Sequence, residues 1–209
     1  MYLYGASGHG KVIVEIAEEI GYNIEGFLDN NSDLKSIFDY SVTDQIPNDG
    51  EVFLSMGNNA TRKKIALAHP QFAYPKLIHP TAIVSKRAEI GEGTVIMAGV
   101  TINSEVKIGK QCIINTSATL DHECKIGDYA HISPNVGLAG NVSVGEGAHV
   151  GIGASVIQGI RIGKWSTIGA GAVIIRDVPD YAVVVGNPGK IIKFNEPHFE
   201  PKILEESNK

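Results

Sequence analysis

Residues 90–109, IGEGTVIMAGVTINSEVKIG, carry an aliphatic residue at every sixth position. The same spacing runs without a slip through seventeen positions, and all of them are Ile, Val or Leu: Ile78, Val84, Ile90, Ile96, Ile102, Ile108, Ile114, Leu120, Ile126, Ile132, Leu138, Val144, Val150, Val156, Ile162, Ile168 and Ile174. Four residues after each of these comes a residue of small or modest size, as at Thr94, Val100 and Val106. One large and one small inward side chain in every six residues predict a solenoid of short stacked strands.

This pattern resembles the hexapeptide-repeat left-handed parallel β-helix, in which three hexapeptides make one triangular coil. The resemblance implies six residues per face and 18 per coil. It alone supplies the left hand, because crossovers between parallel strands are ordinarily right-handed. Glycine often follows the aliphatic residue directly, and there we expect it to supply the unusual dihedral angles of a tight bend. The glycines in question are Gly91, Gly109, Gly127, Gly145, Gly151, Gly163 and Gly169.

The first 76 residues follow a different pattern. YLYGAS predicts a strand, GKVIVEIAEEIG a helix and NIEGFLDNN a second strand; EVFLSMG and NATRKKIALAH predict a third strand and a second helix, with Asn59 as its N-cap. This order favours a Rossmann-like βαβ domain over residues 1–76, followed by the β-helix over 77–179 and a C-terminal tail over 180–209. We expect the charged last dozen residues to form a docked or frayed tail.

The composition narrows the classes of function. With 209 residues, 43% of them hydrophobic, and a net charge of −5, the chain predicts a globular protein that does not coat nucleic acid. It has no apolar run near the roughly 20 residues of a membrane span, so we expect no membrane partner and a cytoplasmic location. Cys112 and Cys124 form no C-x-x-C pair, which argues against a disulfide scaffold or a thiolate zinc site.

The glycine-rich stretch GASGHGKV, residues 5–12, fits neither common phosphate-binding motif. Val12 stands where a P-loop ATPase needs a hydroxyl for Mg²⁺, and the glycine spacing is not that of a dinucleotide fingerprint. A turn between a strand and a helix still leaves free amides for a phosphate group. Asp29, after the second predicted strand, is placed to accept from ribose or base. His9 is either a phosphate donor or a solvated loop histidine, and glycines that only close a tight turn remain an alternative.

YGASGHGKV, FLDNN, GNNATRKKI and the hexapeptide array together resemble bacterial sugar acetyltransferases that join a nucleotide-sugar domain to a left-handed β-helix. The family includes UDP-4-amino-sugar N-acetyltransferases of the bacillosamine pathway and sialic acid O-acetyltransferases. The resemblance covers residues 2 to about 192. It implies a homotrimer that uses acetyl-CoA, and a UDP-sugar site at Ser7, Gly8, His9 and Asp29. Asn58, Asn59 and Arg62 match a further shared run whose role is open.

The string LDHECKIG contains the candidate base. Leu120 and Cys124 take inward positions, which leaves His122 and Glu123 near the surface, where a coil corner lets neighbouring side chains meet. An ordinary charged surface is the alternative from these residues alone. The family resemblance implies that His122 is the catalytic base and Glu123 its partner.

Two other histidines lie in the repeat. His131 and His149 are 18 residues apart and therefore share a face, whereas His122 lies half a circuit away from His131. Without an H-x-x-x-H pair, a three-histidine zinc site is not expected, and we expect no metal cofactor. In the family the active site forms between subunits, which implies that His131 contacts the acetyl group across a groove; a surface histidine is the alternative. We expect His149 to be structural.

The family resemblance also implies the acetyl-CoA site. It places the pantetheine arm near Gly140, Gly151 and Ala170, and the nucleotide end near Gly186, Pro188 and Lys190 of the closing motif. Both cysteines take inward positions, which disfavours covalent transfer.

Together these features predict an acetyl-CoA-dependent N-acetyltransferase acting directly on the C4 amine of a UDP-linked amino-dideoxy sugar. O-acetylation of a sialic acid or related sugar is an alternative. A non-catalytic β-helix scaffold is another.

Overall fold

A computed structural model describes residues 1–196, and its first half is a small α/β domain. Its elements are β1 (Tyr2–Tyr4), α1 (Gly8–Glu19), β2 (Gly26–Leu28), β3 (Ser36–Ile37), β4 (Tyr40–Thr43), β5 (Gly50–Leu54), α2 (Asn59–Ala68) and β6 (Phe72–Ala73). The sheet order is β3-β4-β2-β1-β5-β6, with β1 parallel to both of its neighbours. The Rossmann-like prediction is therefore confirmed.

Each helix differs from the sequence prediction at its N-terminus. Helix α1 begins earlier than predicted, and helix α2 has a different N-cap. Helix α1 starts at Gly8, so His9 lies in its first turn rather than in a loop. It buries Ile13, Ile16 and Ala17 on one face, as the apolar spacing predicts, but Val12, predicted on the same face, is exposed. The prediction of Asn59 as the N-cap of α2 is wrong: the side chain of Asn58 accepts a hydrogen bond from the Thr61 N–H at 2.9 Å. An asparagine at either position satisfies the capping pattern, so only the backbone geometry could separate them.

The second half is a parallel β-helix with three flat faces. Face A has the strands Leu77–Ile78, Val95–Ile96, Ile113–Ile114, His131–Ile132, His149–Val150 and Thr167–Ile168. Face B has Ile83–Val84, Thr101–Ile102, Thr119–Leu120, Gly137–Leu138, Ser155–Val156 and Val173–Ile174. Face C has Glu89–Ile90, Lys107–Ile108, Lys125–Ile126, Ser143–Val144 and Arg161–Ile162. The second residue of each strand points inward, and the predicted fold class is confirmed.

The glycines that follow the aliphatic residues do not supply the unusual dihedral angles at the corners of the coil, so the expected role is wrong. The backbone has a positive φ at every sixth residue from Gly93 to Gly171, and Glu123 is one of these residues, with φ of 62°. Gly91, Gly109 and Gly127 are not among them. A Cβ on Gly127 would instead lie 2.6 Å from the backbone nitrogen of Glu146 on the next coil. These glycines are needed for close stacking of coils, not for a bend, because no side chain fits between the two backbones.

The outward residues of face A dock the two domains together. Leu77, Val95 and Ile113 are buried, and they pack with Leu3 and Ile13 of the α/β domain in one apolar cluster. On the next two coils the same outward position is His131 and His149. Face A therefore changes from an apolar contact to a histidine surface along its length.

Residues 182–194 extend face A. The strand Ala182–Val185 pairs parallel with Thr167–Ile168, and Lys190–Phe194 returns antiparallel to it. The segment predicted as a tail from residue 180 thus begins as a β-hairpin that continues the β-helix sheet, since the apolar run AVVV can still pair after the six-residue spacing ends. The predicted tail over the last dozen residues lies outside the described residues.

Candidate active site

His122 lies on the edge between faces B and C, the edge opposite face A. It is in the turn between Thr119–Leu120 and Lys125–Ile126, and 58% of its side chain is exposed. Its Nδ1 is 3.0 Å from Oε2 of Glu123, whose side chain is 57% exposed. The left-handed backbone at Glu123 turns two adjacent side chains to the same side. The predicted pair therefore meets, and with Nδ1–H donating to Glu123, Nε2 is left as a proton acceptor.

Gly140 lies one coil beyond His122 and makes room for its ring. A Cβ at Gly140 would lie 2.6 Å from both Cε1 and Nε2 of His122. The backbone holds the pair in register, because the Asn141 N–H donates to the His122 carbonyl at 2.8 Å. Gly140, predicted as an acetyl-CoA contact, is thus beside the imidazole nitrogen that would act as base.

The N-terminus of α1 forms an open site on the α/β domain. Ser7 and Gly8 are exposed, and the Ser7 hydroxyl makes no capping hydrogen bond. A Cβ at Gly8 would meet nothing within 4 Å, whereas one at Gly10 would lie 2.5 Å from the carbonyl oxygen of Gly5. Close packing thus accounts for Gly10 but not for Gly8.

Asp29 closes one side of this open site. Its Oδ2 accepts from the Ala6 N–H at 2.8 Å and its Oδ1 from the Asn31 N–H at 2.9 Å. Each carboxylate oxygen has a second lone pair, so these bonds leave acceptor capacity for a ligand.

His9 of the α/β domain and His131 of the β-helix, both predicted to contact ligands, lie close together where the domains meet. Their ring centroids are 6.3 Å apart, and His131 stacks on His149. Burial lowers the pKa of His9 to about 4 and that of His131 to about 3, and the positive charge of Arg62 adds to both effects. The alternative readings of His9 as a solvated loop residue and of His131 as a surface residue are therefore wrong. His131 Nε2 lies 3.1 Å from the Asn115 amide nitrogen.

Arg62 joins α2 to the β-helix. Its side chain is 1% exposed and donates to the carbonyls of Gln111 and Tyr129, both at 2.7 Å. It also donates to the Met56 carbonyl at 3.1 Å. Burial lowers its pKa to about 10. Its role was open from the sequence, because the polar residues around it in α2 give no sign that this one side chain is buried.

The remaining predicted acetyl-CoA residues lie at or beside the edge between faces A and B. Gly151 and Ala170 are at the corners that follow face A, and Gly186, Pro188 and Lys190 are in or next to the hairpin turn. Gly189 N–H donates to the Val173 carbonyl at 2.8 Å, which fixes that turn against face B. These residues and His122 thus flank face B from its two sides.

Within one chain, His122 and the His9–His131 pair are on opposite sides of the prism. His131 points outward from face A, and His122 is on the edge away from that face. The structure therefore brings together His122, Glu123 and Gly140 at one place, and Ser7, Gly8, His9 and Asp29 at another. It does not bring the two groups together.

Solved structures of similar chains decide the family. PerB from Caulobacter crescentus, solved with CoA and GDP-perosamine, is 37% identical with a TM-score of 0.85, over 91% of this chain and 95% of that one. The chain belongs to the family of sugar N-acetyltransferases. The acetyltransferase domain of PglB from Neisseria gonorrhoeae, solved with acetyl coenzyme A, is 38% identical to this family member, with a TM-score of 0.85 over 91% of this chain and 98% of that one.

Sequence comparisons agree with that assignment. Residues 1–68 of this N-acetyltransferase match the PglD N-terminal domain, and residues 105–140 match the bacterial transferase hexapeptide repeat. A stretch of 47 residues is 55% identical to UDP-N-acetylbacillosamine N-acetyltransferase of Bacillus subtilis, which is 22% of each chain.

Three further findings concern the described residues of this N-acetyltransferase. Burial raises the pKa of Cys112 to about 12 and also raises that of Cys124. Over residues 1–196, no three His, Cys, Asp or Glu side chains are grouped so that they could hold a metal ion. In the same range, neither helix has the length and apolar character needed to cross a bilayer.

Proposed function

We propose that this protein transfers the acetyl group of acetyl-CoA to the C4 amine of a UDP-linked amino-dideoxy sugar, with His122 as the general base. The observation that carries this proposal is the exposed His122–Glu123 pair, at 3.0 Å, with Nε2 left open beside Gly140. A base of this kind needs an oriented imidazole and an accessible second nitrogen, and this corner supplies both.

The chemistry is direct transfer between two bound substrates. The sugar amine attacks the thioester carbonyl, an N–C bond forms, the C–S bond breaks and CoA leaves as the thiolate. His122 Nε2 takes the proton of the amine and returns it to the thiolate, while Glu123 balances the charge on the imidazolium. The high pKa values of the buried thiols argue against an acyl-cysteine intermediate.

The acceptor site is the open N-terminus of α1. The helix amides at Ser7 and Gly8 suit a diphosphate, and Asp29 supplies a hydrogen-bond acceptor for ribose or base. His9, in the first turn, has its Nε2 buried without a hydrogen-bond partner among residues 1–196. A buried polar atom in that state is a candidate contact for the bound sugar nucleotide.

A homotrimer would complete the site. His122 cannot reach the His9–His131 side of its own chain, because the β-helix lies between them. Face B lies between the two groups of acetyl-CoA residues. Its outward residues include the small Thr101, Gly137 and Ser155, which suit close packing of a second chain. In this arrangement acetyl-CoA lies between subunits, near His131, Gly140, Gly151, Ala170, Gly186, Pro188 and Lys190.

Turnover tests the proposed reaction. Purified protein is incubated with acetyl-CoA and a UDP-4-amino-sugar, with thiol release and product mass as readouts, and parallel arms contain a GDP-4-amino-sugar and a sialic acid. We expect acetylation of the UDP-linked amine, and a kcat about 100-fold or more lower for His122→Ala. Lys125→Ala, an exposed change on the next strand, is the control. Acetylation of the sialic acid alone would favour the O-acetyltransferase, and acetylation of nothing would favour the scaffold.

Mixed subunits test the shared site. His9→Ala and His122→Ala chains are co-expressed with different tags, and hetero-oligomers are isolated. If each site uses His9 of one chain and His122 of a neighbour, every hetero-trimer contains one intact site, so about one third of the sites are restored. If both come from one chain, no site is restored, and activity at the level of the two single variants would refute the shared site.

A further inference from the structure

Asn103 lies one coil before the candidate base and is linked to it through Asp121. The Asn103 Nδ2 donates to Oδ1 of Asp121 at 2.8 Å. The same oxygen accepts the backbone N–H of His122, also at 2.8 Å. Asn103 and Asp121 occupy the same corner position on successive coils, so the stacking of the β-helix itself sets their distance.

His122 is thus held from both neighbouring coils. From the following coil, the Asn141 N–H binds the His122 carbonyl. From the preceding coil, Asn103 holds Asp121 on the His122 N–H. The first contact is part of the regular backbone ladder, but the second uses two side chains.

Acidic residues stand on both sides of His122 in the sequence, and of the two only Glu123 is hydrogen-bonded to the imidazole in the described structure. Glu123 binds Nδ1, whereas Asp121 has its Oδ1 occupied by two donors. The Asn103 amide, followed by the His122 N–H, holds the pKa of Asp121 below its usual value, so this carboxylate stays ionised. An ionised Asp121 released from these donors would be free to compete for the imidazole.

Stability does not account for this arrangement. Asn103 and His122 are exposed, and exposed polar contacts add little to the free energy of folding. Next to a general base, the contact between Asn103 and Asp121 has another effect: it restrains the orientation of the His122 imidazole, on which the reaction depends.

We propose that Asn103 is a positioning residue for the base: it keeps Asp121 on the backbone of His122, so that Glu123 alone fixes the imidazole with Nδ1 protonated and Nε2 open. The inference rests on the proposed acetyl transfer and deepens it. Asn103 does not touch the reacting atoms; it acts through Asp121.

The test compares Asn103→Ala with a matched variant. Ser85 is at the same corner one coil earlier, and its hydroxyl accepts the Arg87 N–H at 3.2 Å, so Ser85→Ala removes a similar contact far from the base. For Asn103→Ala we expect kcat to fall roughly tenfold with the KM of both substrates within about twofold, because orientation and not binding is affected. Ser85→Ala should leave both constants unchanged. Asn103→Gln, which keeps the amide donor, should recover a large part of kcat.

A readout without turnover separates this proposal from the proposed function. Long-range ¹H–¹⁵N spectra of the histidines report which ring nitrogen carries the proton, and the His122 signals are assigned by their loss in His122→Gln. We expect one tautomer, protonated at Nδ1, in the wild-type protein and a mixture in Asn103→Ala. Adding Asp121→Asn to Asn103→Ala should restore the single tautomer, because the competing carboxylate is gone.

The tautomer of His122 and the kcat of the variants decide whether Asn103 positions the base. An unchanged tautomer and an unchanged kcat in Asn103→Ala would overturn the proposal, as would an equal loss in Ser85→Ala. If the wild-type protein acetylates no nucleotide sugar, the proposed function fails, while the tautomer still decides whether Asn103 orients the ring.

Discussion

The imidazole rings of His131 and His149 stack with 4.8 Å between their centroids and 2° between their planes. Both residues are at the same position on successive coils of face A, and the ring of His9 in the α/β domain lies 6.3 Å from that of His131. Burial, together with the nearby guanidinium of Arg62, lowers the pKa of all three histidines and favours their neutral state. We therefore expect the contact between the domains to weaken as the pH falls.

Acidification should weaken the fold. Burial holds the pKa of His131 at about 3 in the folded protein, below the 6.5 of an unfolded chain, so the unfolded chain binds the extra proton. The stabilisation is present above pH 6.5 and is lost as the pH falls toward 3. From His131 alone, the free energy of unfolding should drop by about 2 kcal/mol between pH 7 and pH 5.

Urea unfolding at several pH values measures this loss. His131→Gln removes the titrating group and should flatten the dependence, even if it lowers stability at pH 7. A slope as steep in His131→Gln as in the wild-type protein would show that other groups control the acid loss.

Replacing Arg62 should loosen the contact between the domains. Arg62→Ala leaves the buried carbonyls of Gln111 and Tyr129 without donors, so we expect a loss of about 3 kcal/mol or more in unfolding free energy. Lys64→Ala, an exposed change in the same helix, should cost less than about 0.5 kcal/mol. Denaturant unfolding of both variants checks this, and equal effects would contradict the anchoring role.

Adding a methyl group at Gly140 should disturb the base without unfolding the protein. Its Cβ would lie 2.6 Å from Nε2 of His122, the end of an exposed side chain that can move away. We expect kcat to fall roughly tenfold in Gly140→Ala, with the melting temperature little changed. In a His122→Ala background the same substitution should have no further effect on the residual rate. A further loss there would mean that Gly140 acts through something other than the imidazole.

A methyl group at Gly8 should affect the acceptor and not the donor. Nothing lies within 4 Å of the added Cβ, and alanine is the better helix former, so stability should stay equal or rise. If the nucleotide diphosphate lies against this backbone, Gly8→Ala raises the KM of the sugar nucleotide severalfold and leaves that of acetyl-CoA unchanged. Steady-state kinetics with each substrate varied in turn separate the two. An unchanged KM for the sugar nucleotide would remove Gly8 from the acceptor site.

The local sequence predicted the structure of the β-helix in more detail than that of the α/β domain. The six-residue period locates every inward residue of the β-helix, because each strand repeats one packing problem. It misassigned the glycines after the aliphatic residues: clearance between coils, which explains Gly127, depends on a neighbour 18 or more positions away. In the α/β domain the element order was predictable, whereas the choice between Asn58 and Asn59 as a cap depended on backbone angles.

The six-residue period predicted the β-helix and the apolar patterns predicted the α/β domain ahead of it, whereas the pairing of adjacent His122 and Glu123 was implied by the family resemblance. These features depend on contacts that repeat along the chain or join adjacent residues. Tertiary structure alone decided that His131 is covered by the α/β domain next to His9, that Arg62 is buried between domains, and that Asn103 reaches Asp121. Each of these contacts forms because two domains dock or two coils stack, which brings distant side chains together. The residues are far apart in the sequence, so no local pattern predicts that they meet.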